Sequence, residues 1–550
     1  MLLAAIYFNM PMISSFLLSQ IHNHSVTWRI TGGIFAALIA SLAILFIATK
    51  AGFDISFTGF ALTGISGWTI WSITLLFCIL ASLYTLWRNQ RTIRFNNRYL
   101  YNIVILYLLA QILYKAFINR GSNPNGNNNW DIISEMVSLR AEKAKLLGYP
   151  DYASYVIANN MAKTPANVYD LCNQIWEAAL PNAKREAAEL QKLIDREGGN
   201  FKLAPWDWRY YSEKLKKEKY GLDETEISQY FPLEKVREGA FYVANKLYGI
   251  TFEQRNDLPL PHPDALAFEV KDADGSHIGI LYADYFPRPS KGGGAWMEAF
   301  RPQSALLNST PVVVNVCNFT KPTGGTPSLL TFDEACTLFH EFGHALHGLL
   351  SKCTYPSVSG TSVANDFVEL PSQIMENWAA DPEVLKVYAR HWKTGEPMPQ
   401  ALIDKIQASR LFNQGFTVVE FMSAALLDMA YHSIQDTARI DAQAFEKETL
   451  DRIGLIPEIT VRYRSPYFSH IFDGGYAAGY YVYTWAEVLD ADAFAAFKET
   501  GDIFNPEKAH AFRDYILSRG GTDDPMKLYQ EFRGKEPSID PLLKRKGLLK

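Results

Sequence analysis

With 550 residues the chain can bury a large core, and 53 basic against 58 acidic residues give it a net charge of −5. No general basic field exists for a phosphate backbone, which argues against nucleic acid as a partner. Five cysteines, odd in number and without a C-x-x-C pair, form neither a disulfide framework nor a thiolate metal site.

Taken in chain order, the first elements are apolar. Ile30–Thr49 is uncharged for 20 residues, and Ile55–Trp87 is uncharged too, densest in Ile, Leu, Phe and Trp from about residue 67. Each is long enough for a helix through the hydrocarbon core of a bilayer, which takes about 20 apolar residues. A third uncharged run, Tyr99–Tyr114, has only 16 residues and reads as either a span or a core helix. The expectation is a hydrophobic segment, 1–111, with two or three transmembrane helices at about 30–49, 67–87 and, as the open case, 99–114. The stretch before Ile30 lacks a basic start and an A-x-A-like cleavage site, so it is not read as a cleaved signal peptide. Arg88, Arg91, Arg94 and Arg98 put the loop after the second run on the cytoplasmic side. Membrane association through residues 1–111 is therefore expected, and the side faced by the rest of the chain turns on the third run.

Beyond residue 115 the character changes. Arg120–Trp130 is a polar, turn-rich loop, and Asp131–Leu147 has helical periodicity that stops at Gly148. Ala183–Arg196 and Gln400–Arg410 read as amphipathic helices. Leu266–Phe286 reads as a β-hairpin around Asp274–Gly275, and Thr310–Phe319 as a third strand. The fold class predicted for 112–550 is mainly α with one small antiparallel β-sheet. The strand at Pro311–Asn318 is a candidate for pairing with an extended peptide, with an ordinary internal strand as the alternative. Ser290–Gly294 (SKGGG) and Thr323–Gly325 (TGG) lack a following G-K-[ST] and read as flexible loops near a cleft, not phosphate loops.

The chemistry concentrates in LFHEFGHALHGLL, residues 338–350. Thr331 and Glu334 have the spacing of a capping box, so the motif lies inside a helix. His344 is about 40° round from His340 on such a helix, so both imidazoles leave one face and reach one ion, a pattern suited to zinc. Glu341, about 100° from His340, can reach a water beside the metal but is badly placed to ligate it. That gives Glu341 the role of general base. His347 shares the face, and packing or support behind a ligand suits it better than ligation. A third ligand in the metzincin pattern would be a histidine at 350, where Leu350 stands. Asn365–Trp378 (NDFVELPSQIMENW) offers Glu369 and Glu376, seven residues apart on one face, and spacing alone does not choose between them. Asp366 is placed to hold a ligand histidine through its free nitrogen.

These stretches resemble the thimet-oligopeptidase family of zinc metallopeptidases, most closely its bacterial peptidyl-dipeptidases. The resemblance rests on LFHEFGHALHGLL, GTSVANDFVELPSQIMENW (360–378) and RYRSPYFSHIFDGGYAAGYYVYTWAEVLDADAF (462–494). DYFPRPSKGGGAWM (284–297) and SRGGTDDPMKLYQEFRGKEPSIDPLL (518–543) extend it over roughly residues 112–550. It implies a large helical zincin-type metallopeptidase domain holding one zinc ion, with Glu369 joining His340 and His344 as ligand and Glu376 behind them. It further implies catalytic roles for Glu341, His470 and Tyr483 and substrate contacts for Tyr476 and Tyr480. Gly474 and Gly475 would let that segment move onto the substrate. The implied function is zinc-dependent hydrolysis of short peptides, releasing C-terminal dipeptides. The alternatives are an oligopeptidase cleaving internally and a membrane-tethered zinc and peptide-binding protein with little turnover. The family's long helical N-terminal region is largely missing, and residues 1–111 stand in its place.

Overall fold

The computed structural model describes residues 109–549. Helix α1 (Trp130–Leu146) is followed by Gly148 at φ +83, a left-handed position that stops it where the sequence pattern does. Helix α2 (Pro165–Arg196) starts on a Thr164 side chain that accepts from Asn167 N, and it absorbs the amphipathic stretch at 183–196. Helix α3 (Leu233–Tyr248) ends at Gly249, φ +72, and leads into the sheet.

The sheet has five strands: β1 (Thr251–Gln254), β2 (Leu266–Lys271), β3 (His277–Asp284), β4 (Trp296–Arg301) and β5 (Val312–Val316). The β2–β3 hairpin forms as read, with Gly275 at φ +83 in its turn. The antiparallel sheet expected from the sequence is corrected to a mixed one, because β5 lies parallel to β3 in the order β1-β2-β3-β5-β4. A parallel neighbour needs a crossover of a dozen or more residues, and the 27 residues from Tyr285 to Pro311 supply it, with β4 on the way. The edges of the sheet are β1 and β4; strand β5 is therefore paired on both sides and cannot add a peptide as a new strand. Its VVVNV sequence, buried on both faces, is what an interior strand requires.

Helix α4 (Phe332–Leu349) crosses beneath this sheet, and helix α5 (Leu370–Ala379) packs along α4. Helix α6 (Gln414–His432) lies along α2, and helix α7 (Val482–Glu499) follows the segment that contains His470 and the tyrosines. Two cores result. The first unites the sheet with α3, α4 and α5 through Leu281, Val313, Phe339, Phe342, Leu346, Ile374 and Trp378. The second unites α1, α2 and α6 with residues 468–482 through Ile133, Ile175, Leu190, Val419, Leu426, Ile471 and Tyr481. Each large apolar side chain buried in this way contributes about 1.5–3 kcal/mol. At the start of α6, Gly415 N and Phe416 N donate to the Glu186 carboxylate of α2, and a Cβ on Gly415 would lie 2.3 Å from Ala183 N. Only glycine allows that crossing.

Among the described residues no helix is long and apolar enough to cross a membrane, so the transmembrane expectation finds no support there. The runs 30–49 and 67–87 lie outside the described residues. Of the run 99–114, residues from 109 on belong to a helix at 109–118, and the expected boundary at 112 falls within it. The Tyr114 hydroxyl there donates to Thr460 Oγ1 at 2.8 Å, and Lys115 lies over the Trp206 ring. These polar contacts tie the end of the run to the rest of the domain.

The SKGGG stretch is pinned where a flexible loop was expected. Lys291 Nζ lies 3.0 Å from Asp284 Oδ1 and donates to the carbonyls of Asp284, Phe286 and Cys317, while Asn318 Nδ2 donates to the carbonyls of Gly292 and Gly294. TGG forms a tight turn closed by Thr323 and Thr326, with Gly324 and Gly325 at positive φ.

Candidate metal centre and its facing wall

Helix α4 begins with the capping box read from the sequence: Thr331 Oγ1 accepts from Glu334 N at 3.1 Å, and Glu334 Oε2 accepts from Thr331 N at 2.9 Å. Two amides that a helix start leaves unpaired are thereby satisfied. Phe339, Phe342, Ala345, Leu346 and Leu349 face the first core, which turns His340 and His344 toward the cleft. The Glu341 carbonyl accepts from Asn315 Nδ2 of β5, fastening the motif to the sheet.

Glycine at 343 sets the approach of the next helix. A Cβ there would lie 2.2 Å from Pro371 O and 2.6 Å from Ser372 Cα, so α4 and α5 meet backbone to backbone. That contact brings Glu369, the residue just before α5, to the histidines. Glu369 Oε2 lies 3.2 Å from both His340 Nε2 and His344 Nε2, and Ser372 Oγ donates to the same oxygen at 2.9 Å. Among the described residues these three form the one cluster of His, Cys, Asp or Glu able to hold a metal ion. Glu376, the other candidate, turns to the far nitrogen: its Oε1 is 2.7 Å from His340 Nδ1. A proton on Nδ1 leaves Nε2 free to ligate, which fixes the tautomer the site needs. Burial pushes the Glu369 carboxyl up, but the charges and hydrogen bonds of His344 and His340 outweigh it and hold the group well below the usual carboxylate range.

Glu341 is 5% exposed, and its Oε2 has no hydrogen-bond partner in the protein. Burial pushes its carboxyl above the ordinary range. A buried carboxylate oxygen left unbonded beside three convergent ligands is poised for a proton that the protein does not supply. His347 points into the core, fully buried with neither ring nitrogen bonded, and burial pushes its pKa down to about 3. It packs and does not ligate. Asp366 does not orient a ligand histidine either. Its carboxylate accepts from Met161 N, Ala162 N and the Tyr481 hydroxyl, so it faces away from the centre.

The facing wall is residues 470–483. Tyr476 and Tyr483 stack at 5.4 Å between centroids with planes 10° apart. Burial raises both phenols, and the nearby charge of Glu369 raises them further; Glu341 adds to this at Tyr476. The Glu369 charge is thus felt at both phenols. Gln373 Nε2 of α5 donates to Tyr483 O at 3.0 Å and joins the two walls. His470 sits 6.1 Å from the Tyr476 ring; its Nδ1 has no protein partner, and burial, with the charge of Arg462, lowers its pKa. Tyr480, expected to contact substrate, is 2% exposed and enclosed by Phe421, Tyr463, Phe468 and His470. A substrate would have to displace those rings to reach it, so its place is structural. Gly474 and Gly475 are exposed, and a Cβ on Gly474 would lie 2.9 Å from His470 O.

Two buried polar residues behind this wall have no counterpart in the sequence reading. Asp428 and His432 are the one acid and the one histidine in the apolar FMSAALLDMAYH of α6, and a charged or imidazole group in such a run is the signal that marks them.

A two-histidine, one-glutamate centre on a helix under a mixed sheet, with a free carboxylate beside it, defines a metallopeptidase-like site. A sequence profile for peptidase family M3 matches residues 111–548, and the chain belongs to that family. It is 44% identical over 443 residues to the dipeptidyl carboxypeptidase of Escherichia coli strain K12, covering 79% of this chain and 64% of that protein. Oligopeptidase A of the same organism is 40% identical over 452 residues, covering 80% and 66%. Saccharolysin of Saccharomyces cerevisiae is 32% identical over 442 residues, covering 76% and 61%. The chain thus spans somewhat less than two thirds of the length of these relatives. A solved M32 carboxypeptidase from Deinococcus radiodurans aligns over 80% of this chain and 78% of its own at 14% identity, with a TM-score of 0.48.

Proposed function

We propose that the chain is a zinc-dependent peptidase that hydrolyses short peptides and releases dipeptides from their C-terminal end. The observation that carries this reading is the convergence of His340 Nε2, His344 Nε2 and Glu369 Oε2. The 3.2 Å from each imidazole to the carboxylate matches the edge of a tetrahedron about zinc, about 3.3 Å at ordinary ligand distances. Three protein ligands leave the open position that distinguishes a catalytic from a structural site. When bound, zinc supplies Lewis-acid polarisation of the scissile carbonyl and acidifies the attacking water.

The remaining steps belong to this chain's own groups. Glu341 takes the proton from the attacking water and hands it to the leaving amine, and its raised carboxyl brings its basicity closer to neutral pH. Tyr476 and Tyr483, kept protonated by burial and by the Glu369 charge, donate to the carbonyl oxygen as negative charge grows there. His470, kept neutral by its surroundings, bonds the substrate. An extended peptide runs along β4, the sheet edge whose Met297 abuts Gly348 of α4.

Release of C-terminal dipeptides is supported by the 44% identity to a dipeptidyl carboxypeptidase; internal cleavage is the second reading, favoured by the 40% identity to oligopeptidase A. A zinc-loaded sample of the full chain, given one short peptide with a free C-terminal carboxylate and the same peptide amidated, tests both. Stepwise dipeptide release from the free acid alone is expected. Equal cleavage of the amide would replace the first reading by the second, and binding without cleavage of either would overturn both.

A further inference from the structure

Asp428 is fully buried in the second core, and His432, one turn on, is 1% exposed. A carboxylate in such surroundings is costly unless its oxygens are bonded throughout. Its partners are the tyrosine segment and one line of side chains behind it. Ala478 N donates to Asp428 Oδ1 at 2.9 Å, and Tyr480 N donates to Oδ2 at 2.9 Å. His432 Nδ1 is 2.8 Å from Oδ1, and Arg140 Nη1 is 2.8 Å from His432 Nε2. A guanidinium only donates, so Nε2 accepts and Nδ1 carries the proton given to Asp428. Ala478 N stands 3.2 Å from that protonated Nδ1, farther than from the carboxylate that receives its hydrogen. The guanidinium also lies 5.6 Å from the Phe472 ring, so the line of guanidinium, imidazole and carboxylate meets residues 470–483 at both ends.

The backbone held there has a conformation that alanine disfavours. Ala478 has φ +53, in the left-handed region; the other non-glycine residues found there among the described ones are Lys163, Asn308 and Asn413. For an L-residue this conformation is strained. Reversing the hand at one residue turns neighbouring N–H groups to the same side and makes a concave nest for an anion, and Asp428 fills it. The nest stands between Tyr476 and Tyr483. The Tyr481 hydroxyl is held by a second buried carboxylate, Asp366, three residues before the ligand Glu369.

We propose that Asp428, backed by His432 and Arg140, is the positioning residue for Tyr476 and Tyr483: its carboxylate holds the backbone between them in the left-handed turn that aims both phenols at the metal centre. Asp428 touches neither substrate nor metal ligand and acts only through that backbone. The proposal rests on the reading of Tyr476 and Tyr483 as donors to the developing oxyanion.

Asp428→Asn in the full-length, zinc-loaded protein keeps the size of the side chain but turns an N–H toward one of the two amides. The expected result is a kcat lower by about 10–10²-fold, as for a small misplacement of a reacting group, with KM and zinc content unchanged. Hydrogen exchange at the amides of Ala478 and Tyr480 should accelerate while that of α4 does not. Adding Ala478→Gly, which removes the left-handed cost, should recover about threefold or more of the lost kcat. A merely structural role would lower thermal stability without this kcat-only loss and its rescue. A kcat within about twofold of wild type at full zinc content, or a loss that Ala478→Gly leaves untouched, overturns the proposal. Should Asp428→Asn not fold, His432→Gln decides in its place: a smaller loss confined to kcat supports the proposal, and unchanged kcat overturns it. Tyr476→Phe and Tyr483→Phe, run alongside, separate the two readings. If both keep wild-type turnover, the oxyanion reading fails and the inference with it; if they lose turnover while Asp428→Asn keeps it, only the inference fails.

Discussion

Helices α4 and α5 carry their groups on regular backbone backed by the first core, whereas residues 470–483 carry theirs on a one-turn helix, a turn and the first residues of α7, held by buried carboxylates. In the first region the positions of His340, His344 and Glu369 follow from helix periodicity, one cap and one glycine contact. In the second, the stacked phenols are aimed by Asp428 and the neighbouring Tyr481 hydroxyl is held by Asp366, carboxylates that lie 50 or more residues away in sequence from the groups of this segment that they bind. The two regions teach that one active site can be held by apolar packing on one side and by buried polar bonds on the other. Damage to each side should then read out differently.

The largest expected effect strikes the groove between them. Glu341→Gln should retain zinc, measured by elemental analysis, and lose about 10²–10⁴ in kcat; a tenth of the wild-type rate would remove Glu341 as base. Next, Tyr483→Phe should lower kcat by about 10²-fold with metal content and stability intact, because only the phenolic hydroxyl is removed. On the helix side the signature should instead be the metal. Glu376→Gln, which weakens the partner of His340 Nδ1, should reduce zinc affinity by about 10–100-fold in a chelator competition. Gly343→Ala should cost about 1–3 kcal/mol in denaturant unfolding, since its Cβ must push Pro371 away, and zinc affinity should fall with it. The smallest change, Thr331→Ala, should cost about 1 kcal/mol from the lost cap and leave kcat unaltered.

Legibility in the sequence divides along the same line. His340 and His344 are one turn apart on a helix with its own start signal, so their geometry is local and can be read. Glu369 and Glu376 could not be separated by spacing because both lie near one face, and the choice is made in space: one meets Nε2, the other Nδ1. Asp366 looked like a support for a histidine because it is near Glu369 in sequence, yet its carboxylate turns to Met161 and Ala162, a tertiary contact no local pattern carries. The hairpin at Asp274–Gly275 was readable from its turn. The parallel pairing of β3 with β5 was not, since it depends on where a 27-residue connection lays β4, a strand whose exposed Glu298 and Arg301 blur any alternation. The tyrosine wall has no period at all, which is why only resemblance pointed to it and why Tyr480, a neighbour in the same motif, was given a contact that its burial denies.

The backbone contact at Gly343 has one more consequence. Glu369 follows His344 by 25 residues, so an ion shared by the two clips a loop of that length shut within the first core. Such a clip removes loop-closure entropy from the unfolded chain much as a cross-link does, and ligand binding to the native state adds stability in proportion to the logarithm of metal activity. Melting temperature measured against buffered free metal should therefore rank ions by their fit to this site, without any substrate being present.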